Sequence, residues 1–490
     1  MANGQQFLAL DLGAESGRGE LVTLADGRVT LEEVHRFANR PVRMAGTLHW
    51  DAPALLAEIQ AALRVCAARG IELTAIGVDT WGVDFGLLGR DGRLLGNPVH
   101  YRDGRTDGIH AYSDPTMPRE GIFAATGYEP WQIASLFQLL AMQRDGWPTL
   151  DAAETFLNMP DLFNYFLTGQ RRSARAVANT TNLMGTNGQW CGEIARRFSL
   201  PTDMLPELIE PATLLGELTP EVQAQTGLGP VPVVAACGHD TSAAVAAVPG
   251  EGENWAFISC GTWSIPGCLV DAPVATPRCL ELGFTNEYTV GGWYLARNVS
   301  GLWPIQELRR AWDRPEDRWD YDHMVAEARA ADAGPLLDAA DESLLAPADM
   351  EAALRELMQR AGQPEPRNRG ELIFGALASL ALEYRRRLGA LGELTGRARE
   401  AIYMVGGGIR NELLCQLTAD ACGVPVHAAA EQCTAAGNAL AQALALGVLG
   451  SPADIRDVMR ASYETHTYEP QEQALWDDKR ALYERITAQR

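Results

Sequence analysis

The sequence predicts an α/β protein built from two domains, and three observations carry that expectation. The chain has 490 residues, more than one ordinary core accommodates. Two glycine-hinged hairpins lie in separate halves of it. One runs from Phe7 to Val22 through Gly13-Ala14-Glu15-Ser16-Gly17-Arg18, the other from Trp255 to Ile265 through Cys260-Gly261-Thr262. Finally, strand, glycine turn, helix and strand follow one another from Ala401 to His427, the pattern of a parallel βαβ unit. Glycine allows a tight turn and lets backbone N–H groups face an anion, so the paired hairpins read as two jaws on one polyphosphate.

The elements follow in order. Strands are expected at 6–12, 19–24 and 28–37, with Asp26-Gly27 as a turn. An amphipathic helix follows at about 53–68, then a buried strand, Ala75 to Asp79. Trp81 to Leu88 reads as a further strand closed into a hairpin by Asp91-Gly92. Residues 120–170 read mainly as helices ending at Thr168-Gly169, and Pro230 to Ala236 as a buried strand leading into an Ala- and Val-rich helix after Asp240. Residues 311–370 are acidic and helix-prone, fitting a helical insertion or a solvated charged surface. In the last unit Asn411 is a candidate N-cap, Leu413, Leu414, Leu417 and Ala421 share a helical face, and Gly423 stops the helix. Val424 to His427 is the next strand and Thr434 to Leu446 the next helix.

Composition narrows the function. Apolar residues make up 47% and charged residues 21%, as in a globular protein with a large core. A net charge of -22 argues against nonspecific nucleic-acid binding and against anionic membranes. It leaves room for a small anionic ligand, because local loops and a metal can reverse the sign within a pocket. Nine scattered cysteines without a CxxC pair argue against a zinc site and a disulfide framework, and fit reduced thiols. Cys237 and Cys260 stand beside the motifs below. The start of the chain is polar and no stretch is long and apolar enough to span a bilayer, so a cytoplasmic location is expected.

Four polar groupings could carry chemistry. Asp11 ends an apolar strand where a glycine turn begins, so it can hold Mg²⁺, directly or through water, or simply cap the turn. Gly238-His239-Asp240-Thr241 follows a buried strand, where open α/β sheets place ligands. Asp240 can accept the proton of an attacking hydroxyl, or N-cap the helix. His239 and Thr241 can hydrogen-bond a polyol. Asp79, Trp81, Gly82 and Asp84 combine two carboxylates with an indole, which suits a sugar and equally a hairpin with a core tryptophan. Arg102-Asp103-Gly104-Arg105 could reach the same place. Gly406-Gly407-Gly408 before a helix is neither the dinucleotide fingerprint nor a Walker A loop, so a nucleotide site must use the hairpins.

DLGAESGR, GVDTWGVDFGLL with YRDGRTDG, GHDT, SCGTWS, RNVSGLW and VGGGIRNELLCQLTADACG, in this order over about residues 7–445, resemble the FGGY carbohydrate kinases of the hexokinase and actin superfamily. The resemblance implies two actin-like (ribonuclease H-like) domains with a deep interdomain cleft. It divides the chain into 1–242 for sugar, 243–455 for ATP with the insertion at about 311–370, and a tail at 456–490. It implies that Ala14, Glu15, Ser16, Gly17, Arg18 and Thr262 line the phosphates, and that Gln306 and Gly407 contact the nucleotide. Gly82, His239, Asp240, Thr241 and Asn298 would contact a ketose, with Asp240 as proton acceptor. The implied reaction is ATP- and Mg²⁺-dependent phosphorylation of the C1 hydroxyl of L-rhamnulose, with domain closure aligning the groups. L-fuculose, L-xylulose and D-ribulose are the alternative acceptors, and a monomer or homodimer is expected. Glu15 stands where the family has a small residue, and Arg297 to Trp303 departs from the family's Lys-Asn-Ile-Met-Gly-Leu-Trp. A non-catalytic actin-like nucleotide-binding protein is the rival from another class; a dehydrogenase lacks its fingerprint.

Overall fold

The computed structural model describes residues 4–488; the first three positions of the polar N-terminus and the last two of the tail lie outside the described residues. The chain forms two compact units that do not follow its linear order. One comprises Met1–Ala247, Val270–Leu295 and Cys433–Ser462; the other comprises Val248–Leu269, Ala296–Gln432 and Tyr463–Arg490.

The first unit is built on a six-stranded sheet in the order Thr213–Glu217, Pro232–Ala235, Leu73–Thr80, Gln5–Leu12, Ser16–Ala25, Arg28–Ala38. Gln5–Leu12 runs antiparallel to Ser16–Ala25 and parallel to Leu73–Thr80, which in turn is parallel to Pro232–Ala235. Phe7 through Leu12 is buried without a break, as expected for a central strand covered on both faces. One cover is the helix Ala52–Ala68. Asp51 caps it by accepting the Ala54 N–H, and Leu55, Ile59, Ala62 and Leu63 pack with Leu8, Leu10, Ile76 and Val78. Each such Leu, Ile or Val side chain contributes roughly 1.5–3 kcal/mol when fully buried.

A second helix on this sheet is Cys433–Ala445. The sequence reading placed it in the C-terminal domain, ending near 455; the structure assigns it to the first unit. The reason is in its side chains. Gln442 Nε2 donates to the Leu8 carbonyl at 3.1 Å and Asn438 Nδ2 to the Gly77 carbonyl at 3.3 Å. A Cβ on Gly77 would stand 2.4 Å from Asn438 Oδ1, so the strand needs glycine there. Another correction concerns Phe85–Leu88. Asp91-Gly92 does turn the chain, but only an isolated Leu88–Leu94 bridge follows, and the strand's ladder partner is the distant Thr155–Asn158. The expected helices around it are Arg119–Thr126, Ser135–Arg144, Pro148–Asp151 and Met159–Thr168, the last closed by Gly169 at φ 77°.

The second unit repeats the plan. The hairpin Trp255–Cys260 and Trp263–Val270 lies beside Ala401–Val405, which pairs in parallel with Val426–Ala428, and His466–Tyr468 completes that side. Asn411 caps Glu412–Cys422 through the Leu414 N–H, and Gly423 ends it at φ 70°. The acidic stretch supplies Tyr321–Ala331 and Met350–Arg360, packed against the long helix Arg369–Thr395. A buried Arg387–Glu383 pair inside that helix is joined by the Tyr483 hydroxyl, which donates to Glu383 at 3.0 Å.

In the first unit, the helix Asp240–Ala246 crosses Cys433–Ala445 at Gly437, where a Cβ would lie 1.9 Å from the Ala243 carbonyl oxygen. Backbone, unlike a flexible side-chain tip, cannot step aside cheaply. Gly437→Ala is therefore expected to cost at least the roughly 1–3 kcal/mol typical of overpacking, read as a lowered urea midpoint.

Candidate active site

Register brings the acids together. In the parallel pair of central strands Asp11 stands opposite Asp79 and Leu12 opposite Thr80. Thr80 bridges His239 in the next segment, and its N–H donates to the Gly238 carbonyl at 2.9 Å. Asp11, Asp79 and Asp240 therefore gather where neighbouring parallel strands end, the place where open α/β sheets bind ligands. Gly238 makes the corner: its φ of 78° is one that L-residues with a Cβ rarely adopt, and it turns the strand Pro232–Ala235 into the helix.

Asp240 is not the cap of its helix. His239 holds the N-cap position and Asp240 is the first helical residue. Its Oδ1 accepts the Thr241 N–H at 2.5 Å and the Thr241 hydroxyl at 3.1 Å, and lies 3.4 Å from His239 Nε2. Oδ2 has no such partner among the described residues, and the side chain is 32% exposed, enough to meet a ligand. Burial raises its pKa; His239 opposes this and Asp11 adds to it. Burial pulls the His239 imidazole down, but a hydrogen bond to Glu287 and the charges of Asp240 and Glu287 outweigh it, and its pKa rises.

Asp79 is fully enclosed, and burial followed by the Asp11 charge raises its carboxyl pKa well above the ordinary range. It is hydrogen-bonded to Asp11 and accepts from Asn438. Asp11 is also held by Arg18, whose Nε and Nη2 donate to Oδ2 at 3.0 and 2.8 Å. The hairpin tip beyond it is fixed by its backbone: Gly13 N–H donates to the Ser16 carbonyl at 2.9 Å, and Asn39 donates to the carbonyls of Glu15 and Gly13. Glu15 and Ser16 are exposed, Ala14 and Arg18 half-buried and Gly17 buried against Phe37.

Asp84 is enclosed too. Its Oδ2 accepts the Trp50 indole N–H at 2.6 Å, the Trp81 indole N–H at 3.0 Å and the Tyr101 N–H at 3.2 Å, while Oδ1 accepts Gln138 Nε2 at 2.9 Å. The sequence leaves open whether Asp79 and Asp84 offer oxygens to sugar hydroxyls or belong to a hairpin with a core tryptophan. In this conformation both oxygens of Asp84 and one of Asp79 are turned to protein donors, and Asp84 serves to lock the Trp50 and Trp81 rings, whose centroids are 3.9 Å apart. Between them the chain makes a strained turn: Val83 has φ 67°, unusual for a β-branched residue, and Asp84 N–H donates to the Gly82 carbonyl two residues back. Thr180, Ser135 and Gln138 all hydrogen-bond the Val83 backbone and hold that turn. A Cβ at Gly82 would meet Thr180 at 2.9 Å. Burial raises the Tyr101 hydroxyl, and so do the charges of Asp84, Asp240 and Glu15, which puts the aromatic cluster, the GHDT acid and the hairpin tip in one electrostatic neighbourhood.

The second unit holds the other sequence candidates. Thr262 is exposed at its hairpin tip and donates its hydroxyl to Gln306 Oε1 at 3.0 Å, and its carbonyl accepts the Gly301 and Trp303 N–H groups. Gly406 and Gly408 pack on Cys260, where a Cβ on Gly408 would stand 2.3 Å from the sulfur; Gly407 faces open space and is exposed. Asn298 is exposed ahead of the short strand Val299–Ser300. Cys237 and Cys260 are buried, and burial raises both thiols, so neither has the depressed pKa of a reactive cysteine.

Residues that sequence reading missed are Trp50, Thr180, Glu287, Tyr294, Asn438 and Gln442. None sits in a glycine-marked motif, and each reaches the site only through packing of distant segments.

Family models describe both halves. The N-terminal domain of the FGGY family of carbohydrate kinases matches residues 6–247, and the C-terminal domain of that family matches residues 256–446. The chain belongs to the FGGY family of carbohydrate kinases, and it is a sugar kinase with the family's two-domain α/β fold. A protein named rhamnulokinase from Bacteroides thetaiotaomicron is 40% identical over 476 residues, 96% of this chain and 97% of the relative. Another of that name from Pectobacterium atrosepticum is 35% identical over 471 residues, 95% and 93% of the two chains. Among solved structures, a ligand-bound xylulose kinase from Lactobacillus acidophilus superposes with a TM-score of 0.82 at 16% identity, covering 98% of this chain and 97% of that one. The non-catalytic and dehydrogenase readings are thereby set aside.

Burial lifts the Asp84 carboxyl from 3.8 to about 6 against the pull of its Trp50, Gln138 and Trp81 donors. The folded state thus keeps a proton that the unfolded chain releases, and this group's contribution to stability falls as pH rises between those two values. Asp84→Asn should remove that slope from the difference between wild-type and variant unfolding free energies. It should also cost about 1–3 kcal/mol at neutral pH, because an amide cannot accept from both indoles and Gln138 as the carboxylate does. Urea titrations across the pH series read both effects.

Proposed function

We propose that the protein transfers the γ-phosphoryl group of ATP to the C1 hydroxyl of L-rhamnulose. The observation that carries this reading is the free Oδ2 of Asp240 at the strand ends, beside a carboxylate cluster and an aromatic wall. The names of the full-length relatives support the choice of sugar.

In this reading Asp240 Oδ2 accepts the hydroxyl proton as the oxygen attacks phosphorus. Thr241 and His239 hold the other carboxylate oxygen, so the base arrives already oriented. The raised pKa makes it a stronger acceptor than an ordinary aspartate, closer to the match with working pH that general bases need. Phosphoryl transfer passes through a loose transition state, so positioning and charge neutralisation matter more than base strength. Backbone N–H groups of Ala14 to Arg18, the Thr262 hydroxyl and the backbone at Gly407 serve the phosphates, with Gln306 on the nucleotide. In the first unit Gly82, His239 and Thr241 serve the ketose beside Trp81, and in the second unit Asn298 is assigned to it.

The acidic cluster fits a hydrated Mg²⁺. The Asp11 charge raises the pKa of both Asp79 and Asp240, and the enclosed Oδ1 of Asp79 meets no protein donor, so a cation beside the cluster would be favoured. Asp11 would hold the ion through water, since Mg²⁺ keeps most of its shell and needs one or two carboxylates besides substrate phosphates. When bound, it would supply neutralisation of phosphate charge.

Asp240→Asn is expected to lower kcat by roughly 10²–10⁴, the usual loss for a general base, with little change in KM for ATP. Near-normal turnover would remove Asp240 from this role. ATP turnover against L-rhamnulose, L-fuculose, L-xylulose and D-ribulose tests the sugar. The highest kcat/KM is expected with L-rhamnulose, and a preference for another ketose would replace it.

A further inference from the structure

Behind His239 lies a carboxylate that the proposed reaction does not touch. Glu287 sits on the strand Thr285–Thr289, beside the strand Gly292–Ala296 that carries Tyr294. Its side chain is 6% exposed. Its Oε2 accepts the Tyr294 hydroxyl at 2.7 Å and lies 3.2 Å from His239 Nδ1. Among the described residues no arginine or lysine pairs with Glu287; the imidazole is its basic partner. Ser242 closes the ring, with its hydroxyl 3.4 Å from His239 Nδ1 and 3.3 Å from the Tyr294 hydroxyl. Thr289 ties the same strand to the Asp240 helix by donating to the Ser242 carbonyl at 2.6 Å.

A buried carboxylate needs a counter-charge, and here the available one is a histidine whose other nitrogen faces the reacting acid. Glu287 thereby fixes which way the ring points and which nitrogen protons it carries. We infer that Glu287 is a positioning residue: it holds His239, and through His239 it orients Asp240 so that Oδ2 alone is left to take the substrate proton. The inference rests on Asp240 being the proton acceptor. The raised pKa of His239 agrees with the geometry.

The groups facing this chain are few. Asp11 and Asp79 act on Asp240, with Tyr101 nearby; Tyr128 and Tyr294 stand near Glu287 and are both held neutral by burial. Neutralising Glu287 removes the hydrogen bond and charge that raise the His239 pKa, and so weakens the positive charge beside Asp240. Asp240 then loses part of the neighbouring charge that lowers its pKa, and its pKa climbs. The acid limb of the kcat profile should move to higher pH, a shift that a merely structural residue would not give.

The experiment compares Glu287→Gln, Asp240→Asn, His239→Asn and the Glu287→Gln/His239→Asn double variant, with L-rhamnulose and ATP and with melting curves for each. Glu287→Gln is expected to fold, to keep KM for ATP, to lose about tenfold to hundredfold in kcat, short of the roughly 10²–10⁴ for the base itself, and to shift the acid limb upward. It should add nothing in the His239→Asn background, because both act through one ring. Unchanged kcat, an unmoved acid limb, or losses that multiply in the double variant would overturn the inference. Should Glu287→Gln not fold, Glu287→Asp draws the carboxylate back by one methylene, and wild-type kcat in that variant would overturn it equally. An active Asp240→Asn would instead overturn the proton-acceptor assignment, so the two failures are distinguishable.

Discussion

The first unit's chemistry depends on the parallel register of two central strands. With Asp11 opposite Asp79, and Thr80 bridging His239, backbone pairing sets where Asp11, Asp79 and the His239-Asp240 segment stand. A slip of one residue would send Asp11 to the opposite face of the sheet and set an apolar neighbour in its place. The register is held by the apolar residues on either side, Phe7 to Leu10 and Ala75 to Val78, all buried. The glycine at 77 adds a second lock by admitting Asn438 and Gln442 close enough to bond the strand backbone.

Concentrating carboxylates at those strand ends is costly, and the structure offsets the cost unevenly. Asp84 is satisfied by four protein donors and becomes a structural pin for two tryptophans. Asp79 accepts from Asn438 and is hydrogen-bonded to Asp11, and burial and the Asp11 charge raise its pKa. Asp240 keeps an oxygen without a protein donor at a position partly open to a ligand. Two enclosed acids and one partly exposed acid are thus separated by environment, and it is the exposed one that is suited to proton transfer. The strained turn at Val83 belongs to the same economy of placement: a β-branched residue at positive φ persists because Thr180, Ser135 and Gln138 hold it.

Much of this was legible in the sequence because it is local. Glycine beside a hydroxyl residue at the end of an apolar run marks a hairpin tip, and both hairpins lie where expected. The cap at Asn411, the stop at Gly423 and the strand Ala401–Val405 follow from side-chain chemistry within a few positions. The true partner of Phe85–Leu88 was not legible, because a turn signal at Asp91-Gly92 says that the chain reverses and not which strand it meets. Nor was the placement of Cys433–Ala445, whose small residues and two amides read as an ordinary helix until the sheet they fit is known.

The sequence by itself determined the kind of elements, the family and the motif that bears Asp240, since each is written in short stretches whose conformational preferences do not depend on distant residues. Only the tertiary structure decided which carboxylates are enclosed, that Asn438 reaches Asp79 from 359 positions away, and that Glu287 stands behind His239. Burial and charge compensation are sums over everything nearby in space, and neighbours in space are fixed by packing.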